Sequence, residues 1–192
     1  MARTNRERTE ATRAALIQAA RGRFVAQGYA ATGTPDIVAA AGVTRGALYH
    51  HFADKLDLFR AVVETEQAAV AAAIEAATPR SLPPLQALKA GSAAFLEAMA
   101  VPGRTRLLLV EAPAALGVAA LDAIDASHGG RTLREGLVQA MDEGLLRRLP
   151  PEPLAALLSA AFDRAARAVA EGADRQAWQE TLDALVDGLA VA

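Results

Sequence analysis

The chain has 192 residues, with 20 Lys and Arg against 22 Asp and Glu, for a formal net charge of -2. Hydrophobic residues make up 53% and charged residues 22%, a globular and not a disordered composition, and the lack of cysteine excludes disulfides, thiolate metal sites and cysteine nucleophiles. No segment reaches the ~18 apolar residues of a membrane span, and the N-terminus MARTNRERTEATR lacks the apolar core of a secretory signal. A cytoplasmic protein with no membrane partner is therefore expected.

Aromatic residues are few (five Phe, two Tyr, one Trp), so the apolar count rests on Ala, Leu and Val, which favours close-packed helices over sheets. Three histidines, two of them adjacent, leave little for a metal site, and no cofactor is expected. Residues 1–60 carry nine basic and five acidic side chains, a net of +4, while the rest carry 11 and 17, a net of -6. A small basic unit on an acidic body is the pattern of a nucleic-acid-binding head on a separate domain.

The first predicted helix covers 9–27, with Leu16, Ile17, Ala20, Phe24 and Val25 on one face and Gly28 as its stop. A short helix follows over 35–41, with Thr34 as N-cap, Pro35 at its first position and Asp36 in its first turn. Gly42 ends it, Thr44 caps another short helix over 45–51, and Asp54 opens a long helix over 54–77 that runs through any head–body junction. In the body, helices are expected from Pro83-Pro84 to about 100 and from Arg104 to Ala112, the latter closed by Pro113. The stretch 114–128 is ambiguous. Further helices are expected from Gly129-Gly130 to about 143, over 152–171 and over 174–190.

Two short helices joined by Ala41-Gly42-Val43-Thr44 make a helix-turn-helix. Gly42 can take the left-handed conformation the turn needs, and Ile37, Ala40, Val43 and Leu48 are spaced to pack together. The string TRAALIQAARGRFVAQGYAATGTPDIVAAAGVTRGALYHHFADKLDLFRAVV adds Gly28-Tyr29, Thr32, Gly46, Leu48-Tyr49-His50-His51-Phe52, Lys55 and Leu58-Phe59 at matching spacing. It resembles the N-terminal domain of TetR-family (tetracycline-repressor-like) transcriptional regulators over about 60 residues. The resemblance implies an all-α protein: a three-helix helix-turn-helix DNA-binding domain over 1–60 and a helical effector-binding and dimerisation domain over 61–192. One departure is Thr32-Gly33-Thr34-Pro35, where Pro35 removes a backbone N–H that could reach a phosphate, leaving Thr32 and Thr34 as possible caps.

On this reading the helix at 45–51 enters the major groove. Thr34, Thr44, Arg45, Gly46, Ala47, Tyr49, His50 and Lys55 are the expected DNA-binding residues. Arg45 can grip guanine O6/N7 or a phosphate, Gly46 and Ala47 let the backbone approach, and Tyr49 and His50 resemble the family's phosphate-binding pair. Lys55 opposes the dipole of its own helix N-terminus, which suggests a phosphate partner. Arg3, Arg6 and Arg8 form either a contacting arm or a free tail.

A single recognition helix reads few bases, so a homodimer on a palindromic operator is expected. Leu154, Leu157, Leu158, Ala161, Phe162, Trp178, Leu182, Leu185, Val186 and Leu189 are its expected interface. A pocket for an unknown small-molecule effector is expected from Phe95, Met99, Leu108, Glu111, Leu116 and Phe162. Glu111 interrupts LLLVEAPAALG, so its carboxylate can meet a cationic ligand or an internal Arg, or simply face solvent. The leading expectation is a homodimeric repressor released from DNA by an effector. An enzyme is disfavoured, because no phosphate loop, H-E-x-x-H or G-x-S-x-G is present. A constitutive DNA-binding protein without an effector is the other alternative.

Overall fold

The computed structural model describes residues 4–191. Their elements are α1 (Asn5–Gln27), α2 (Thr34–Ala41), α3 (Arg45–His51), α4 (Lys55–Ala77), α5 (Pro84–Met99), α6 (Arg104–Arg106), a π-turn (Leu107–Glu111), α7 (Ala112–Leu116), α8 (Val118–Ser127), α9 (Gly129–Asp142), α10 (Pro151–Ala170) and α11 (Arg175–Asp187). The all-α expectation holds, with one antiparallel bridge between Leu146 and Ala190 as the β pairing among the described residues.

The chain forms two compact units. One holds the residues up to Glu66 together with Arg106–Val118, and the other holds Gln67–Thr105 with the residues from Ala119 onward. This division falls inside α4, after Glu66, and 106–118 groups with the N-terminal residues.

In the N-terminal unit α1 starts earlier than its apolar stripe. The Glu7 N–H donates to Thr4 Oγ1 (3.2 Å) while the Thr4 N–H donates to Glu7 Oε2 (2.8 Å), a reciprocal cap that places Arg6 and Arg8 within the helix instead of in an arm. Arg6 pairs with Glu10 one turn on (2.9 Å), and Arg3 lies outside the described residues. Leu16, Ala20 and Phe24, at i, i+4 and i+8, are fully buried, while Ile17 and Val25 are only half-buried. Ile37, Leu48, Leu58, Phe59 and Val62 complete this core. The Phe24 ring meets Phe59 edge-on at 5.0 Å, and Tyr29 lies 4.6 Å from Phe59. Arg21 donates twice to the buried Glu66 (2.9 and 3.2 Å), tying α1 to α4.

The expected helix from Arg104 does not stop at Pro113. In an uninterrupted α-helix the Pro113 ring would collide with the carbonyl of Leu109. The chain instead widens one turn, so that the Ala112 N–H reaches the Leu107 carbonyl, and helical backbone continues to Leu116. The ambiguous 114–128 resolves into α7, Gly117 at φ 80°, and α8.

In the C-terminal unit α5 packs against α9, α10 and α11, and α10 packs against α9 and α11. Leu96, Leu137, Ala140, Leu146, Ala165 and Leu182 are buried there. Asp163 on α10 is partly buried, and that burial raises its carboxyl pKa from 3.8 to about 6, with the Asp125 charge adding to the effect and Arg167 opposing it. The folded chain therefore binds this proton more tightly than the unfolded chain. The resulting stabilisation is complete below 3.8 and is lost as the pH rises through about 6. Asp163→Asn is expected to raise stability by about 2 kcal/mol at pH 7.5, with the gain shrinking toward pH 4, as read by denaturant unfolding at both pH values.

Candidate nucleic-acid interface

The turn between α2 and α3 is closed by backbone bonds. Gly42 sits in the left-handed region (φ 65°, ψ 32°), and the Gly42 and Val43 N–H groups return to the Ala39 and Val38 carbonyls. Thr44 caps α3 by accepting the Ala47 N–H at 3.2 Å. Ile37 and Leu48 are fully buried and hold the two helices together, whereas Ala40 stays exposed.

Leu48 is the buried residue of α3, and its solvent side carries Thr44, Arg45, Gly46, Tyr49 and His50, with Ala47 half-buried. No carboxylate lies on this helix. The Arg45 guanidinium lies 5.5 Å from the centre of the Tyr49 ring. The Tyr49 hydroxyl bonds to the side chains of Thr34 and Arg45, which holds its pKa below the usual phenol value. Thr34 is thus drawn to the same face from α2. It is not the cap, because α2 starts at Thr34 behind Gly33 with no side-chain cap. Thr32 does not cap either, since its hydroxyl donates inward to the Gly28 carbonyl at 2.7 Å. His51 and Phe52 turn inward. Burial, with lesser effects of His50 and Arg13, lowers the His51 pKa, and the Arg13 guanidinium lies over the Phe52 ring at 5.2 Å.

Lys55 has partners within its own unit. Its Nζ donates to the carbonyls of Tyr29 (2.9 Å) and Thr32 (3.0 Å) and lies 4.4 Å from the Tyr29 ring centre. Those loop carbonyls balance a cation at a helix N-terminus. Sequence reasoning missed this network because it pairs residues 23 and 26 positions apart.

Two family models match the chain: bacterial regulatory proteins of the tetR family over residues 16–62, and the tetracyclin repressor-like C-terminal domain over 85–190. The chain belongs to the TetR family. A TetR-family transcriptional regulator from Pectobacterium atrosepticum is 34% identical, covers 99% of each chain and superposes with a TM-score of 0.76. AcrR of Shigella flexneri is 35% identical over 111 residues, which are 57% of this chain and 51% of AcrR. The transcriptional activator FasR of Mycolicibacterium smegmatis is 34% identical over 95 residues, 50% of this chain and 43% of FasR. The chain spans about a third to a half of the length of the curated relatives it matches. This family consists of regulators and not enzymes.

Within the C-terminal unit of this TetR-family chain lies a cavity of about 780 Å³ between the end of α4 and α5, α9 and α10. Phe95 and Phe162, two of the pocket candidates, line it with ring centres 6.1 Å apart. Met99 is buried but outside the lining. Leu108, Glu111 and Leu116 group with the N-terminal unit and are outside this lining. The Glu111 Oε2 accepts the Tyr29 N–H (3.0 Å) and Oε1 accepts from Arg106 (2.8 Å), so the internal Arg is its partner. The cavity's polar groups are ones the sequence did not single out: Ser92, Ser159, Gln139, and Arg131 paired with Glu75 and Glu135. A usable signal was present in Gly91 and Gly136, two helix-interior glycines that both face this space.

The expected interface residues divide between two surfaces. Leu158, Phe162, Leu182 and Val186 are buried in their own subunit, and Leu154, Ala161, Trp178 and Leu189 are half-buried. Leu157 and Leu185 are 71% and 48% exposed. Among the described residues no helix is long and apolar enough to cross a membrane, and no three His, Asp or Glu side chains gather to hold a metal ion.

A Cβ at Gly46 would meet nothing closer than Thr44 Oγ1 at 3.8 Å, so packing leaves room there for a side chain to start. Gly46→Met is expected to keep wild-type thermal stability while weakening DNA binding by about ten-fold or more, the cost of lost backbone approach. Melting curves and anisotropy titrations check both halves.

Proposed function

We propose that the chain is a homodimeric, sequence-specific DNA-binding transcriptional repressor, released from a palindromic operator by a small-molecule effector and acting in the cytoplasm. The solvent face of α3 carries this reading: it holds Arg45, Tyr49 and His50 beside the Thr44 cap and contains no acid. Such a face offers donors to phosphates and one cation to a base edge, in the manner of a recognition helix. Two such helices about 34–36 Å apart would read successive major-groove turns. The exposed Leu157 and Leu185 supply apolar surface for the second copy. The cavity of about 780 Å³, lined by Phe95 and Phe162 together with polar side chains, is of ligand-binding size. FasR is named as an activator, so the sign of control is the finer point.

Duplexes enriched from a random-sequence library by the wild-type protein supply the test probe. Binding should fall steeply with salt. On operator variants, Arg45→Ala is expected to lose ~1–3 kcal/mol of discrimination at one base pair, and Tyr49→Phe to weaken all sequences equally. Unchanged preference in the first, or a loss confined to one base pair in the second, reverses the assigned role. Leu157→Arg with Leu185→Arg should convert the dimer to a folded monomer in sedimentation velocity and abolish binding to the full palindrome. A compound that releases the duplex and stabilises wild type, but not the cavity-filling Ser92→Trp variant, identifies the effector. A reporter driven through the enriched site separates repression from activation.

A further inference from the structure

We infer that Glu111 is a positioning residue for the DNA-binding head, fixing the loop that leads from α1 into α2. The inference rests on the reading of α3 as the DNA-contacting helix. It starts from an acid whose partners are unusual for a helix surface. Glu111 ends the π-turn and is 19% exposed at its side chain. Its Oε2 accepts the backbone N–H of Tyr29 at 3.0 Å, across 82 residues of sequence, and its Oε1 accepts Nε and Nη2 of Arg106 at 3.2 and 2.8 Å.

The loop it reaches has backbone partners at its two ends, Gly28 and Gly33, and side chains hold it at Gly28, Tyr29 and Thr32. The Gly28 carbonyl accepts from the Thr32 hydroxyl, and the Tyr29 and Thr32 carbonyls accept from Lys55. Glu111 supplies the matching acceptor on the amide side, so Tyr29 is gripped at both its N–H and its C=O. Gly28 makes room for this grip. It sits at φ +81°, and a Cβ there would lie 2.9 Å from Glu111 Oε1 and 3.0 Å from Arg106 Nη2. From this loop the chain passes directly into α2, which packs against α3, with Ile37 and Leu48 fully buried. The placement of the donor face therefore depends on the loop, and the loop depends on Glu111.

The wide turn has a definite part in this. Returning Leu107–Glu111 to α-helical winding removes the extra residue that Pro113 imposes and turns Glu111 by about one residue's worth of helix rotation. Its carboxylate would then leave the Tyr29 N–H. The turn lies within Arg106–Val118, whose chain neighbours, Thr105 and Ala119, belong to the C-terminal unit.

The test compares wild type, Glu111→Ala and Glu111→Gln as full-length proteins. Amide exchange is followed by NMR without DNA, and affinity is measured for a duplex that wild type enriches from a random library. Glutamine keeps an acceptor for the Tyr29 N–H and gives up only the charge on Arg106, a side chain 55% exposed. Glu111→Ala is expected to speed exchange at Tyr29 about ten-fold and to weaken the duplex about ten-fold. Exchange at Leu16 to Phe24 should stay unchanged, and Glu111→Gln should stay within about three-fold of wild type on both readouts. Wild-type affinity in Glu111→Ala overturns the inference. So does equal loss in Glu111→Gln, or faster exchange throughout α1. If wild type enriches no sequence, the DNA-binding reading itself fails and takes the positioning role with it. The exchange data still report separately whether the Glu111–Tyr29 bond exists in solution.

Discussion

Between the end of α1 and the start of α2 the chain turns within residues 28–33, where helical backbone pairing reaches only Gly28, bonded to the Phe24 carbonyl, and Gly33, bonded by the Ile37 N–H. Buried backbone amides and carbonyls must find partners elsewhere. Three side chains far apart in sequence meet this demand: Thr32 from within the loop, Lys55 from the first turn of α4, and Glu111 from the π-turn. Gly28 is what permits the arrangement, since its positive φ and missing Cβ leave room for the carboxylate and its arginine. The aromatic contacts of Phe24, Tyr29 and Phe59 then close over the loop from the core side. Everything downstream, the angle of α2 and the solvent face of α3, starts from this anchored turn.

The helix-turn-helix depends less on long-range contacts. Gly42 in the left-handed region, the Thr44 cap and the burial of Ile37 and Leu48 are local features, and they suffice to pair two short helices. Neither helix would be stable alone at 8 and 7 residues, because nucleation is costly and few intrahelical bonds repay it. Packing on α1 supplies the rest. The Arg21–Glu66 pair adds a fixed link between α1 and α4, with the carboxylate buried and doubly bonded by the guanidinium.

The C-terminal unit divides its apolar residues between two uses. One face of α10 fills the interior with Ala155, Leu158, Phe162 and Ala165, while Leu157 points the other way, joined by Leu185 on α11. Ala-rich helices pack closely, and the space left open lies where α9 and α5 carry glycine in their interiors. Arg131, held between Glu75 and Glu135, gives that space a charged and conformationally restrained rim.

The sequence by itself determined what local chemistry can encode. The helix-turn-helix was legible from Gly42, Val43 and the Thr44 cap, the helix periods from their apolar spacing, and Phe95 and Phe162 as cavity residues from their place on middle helices. It misjudged features set by distant partners. Thr34 reads as a cap, but Gly33 occupies that position. Lys55 reads as a phosphate-facing charge and Glu111 as an acid that meets a cationic ligand, an internal Arg or solvent, because an isolated charge on a helix has no visible partner in sequence; in the fold both bond one loop, and Glu111 also bonds Arg106. Pro113 reads as a stop, and only packing that holds the helix on both sides makes a widened turn preferable to a break. Periodicity shows that α10 is apolar on several faces but cannot assign Leu158 inward and Leu157 outward, because that choice is made by which neighbours arrive. Local conformational preference is written residue by residue. The satisfaction of buried polar groups and the sidedness of an apolar helix are decided only when distant segments meet.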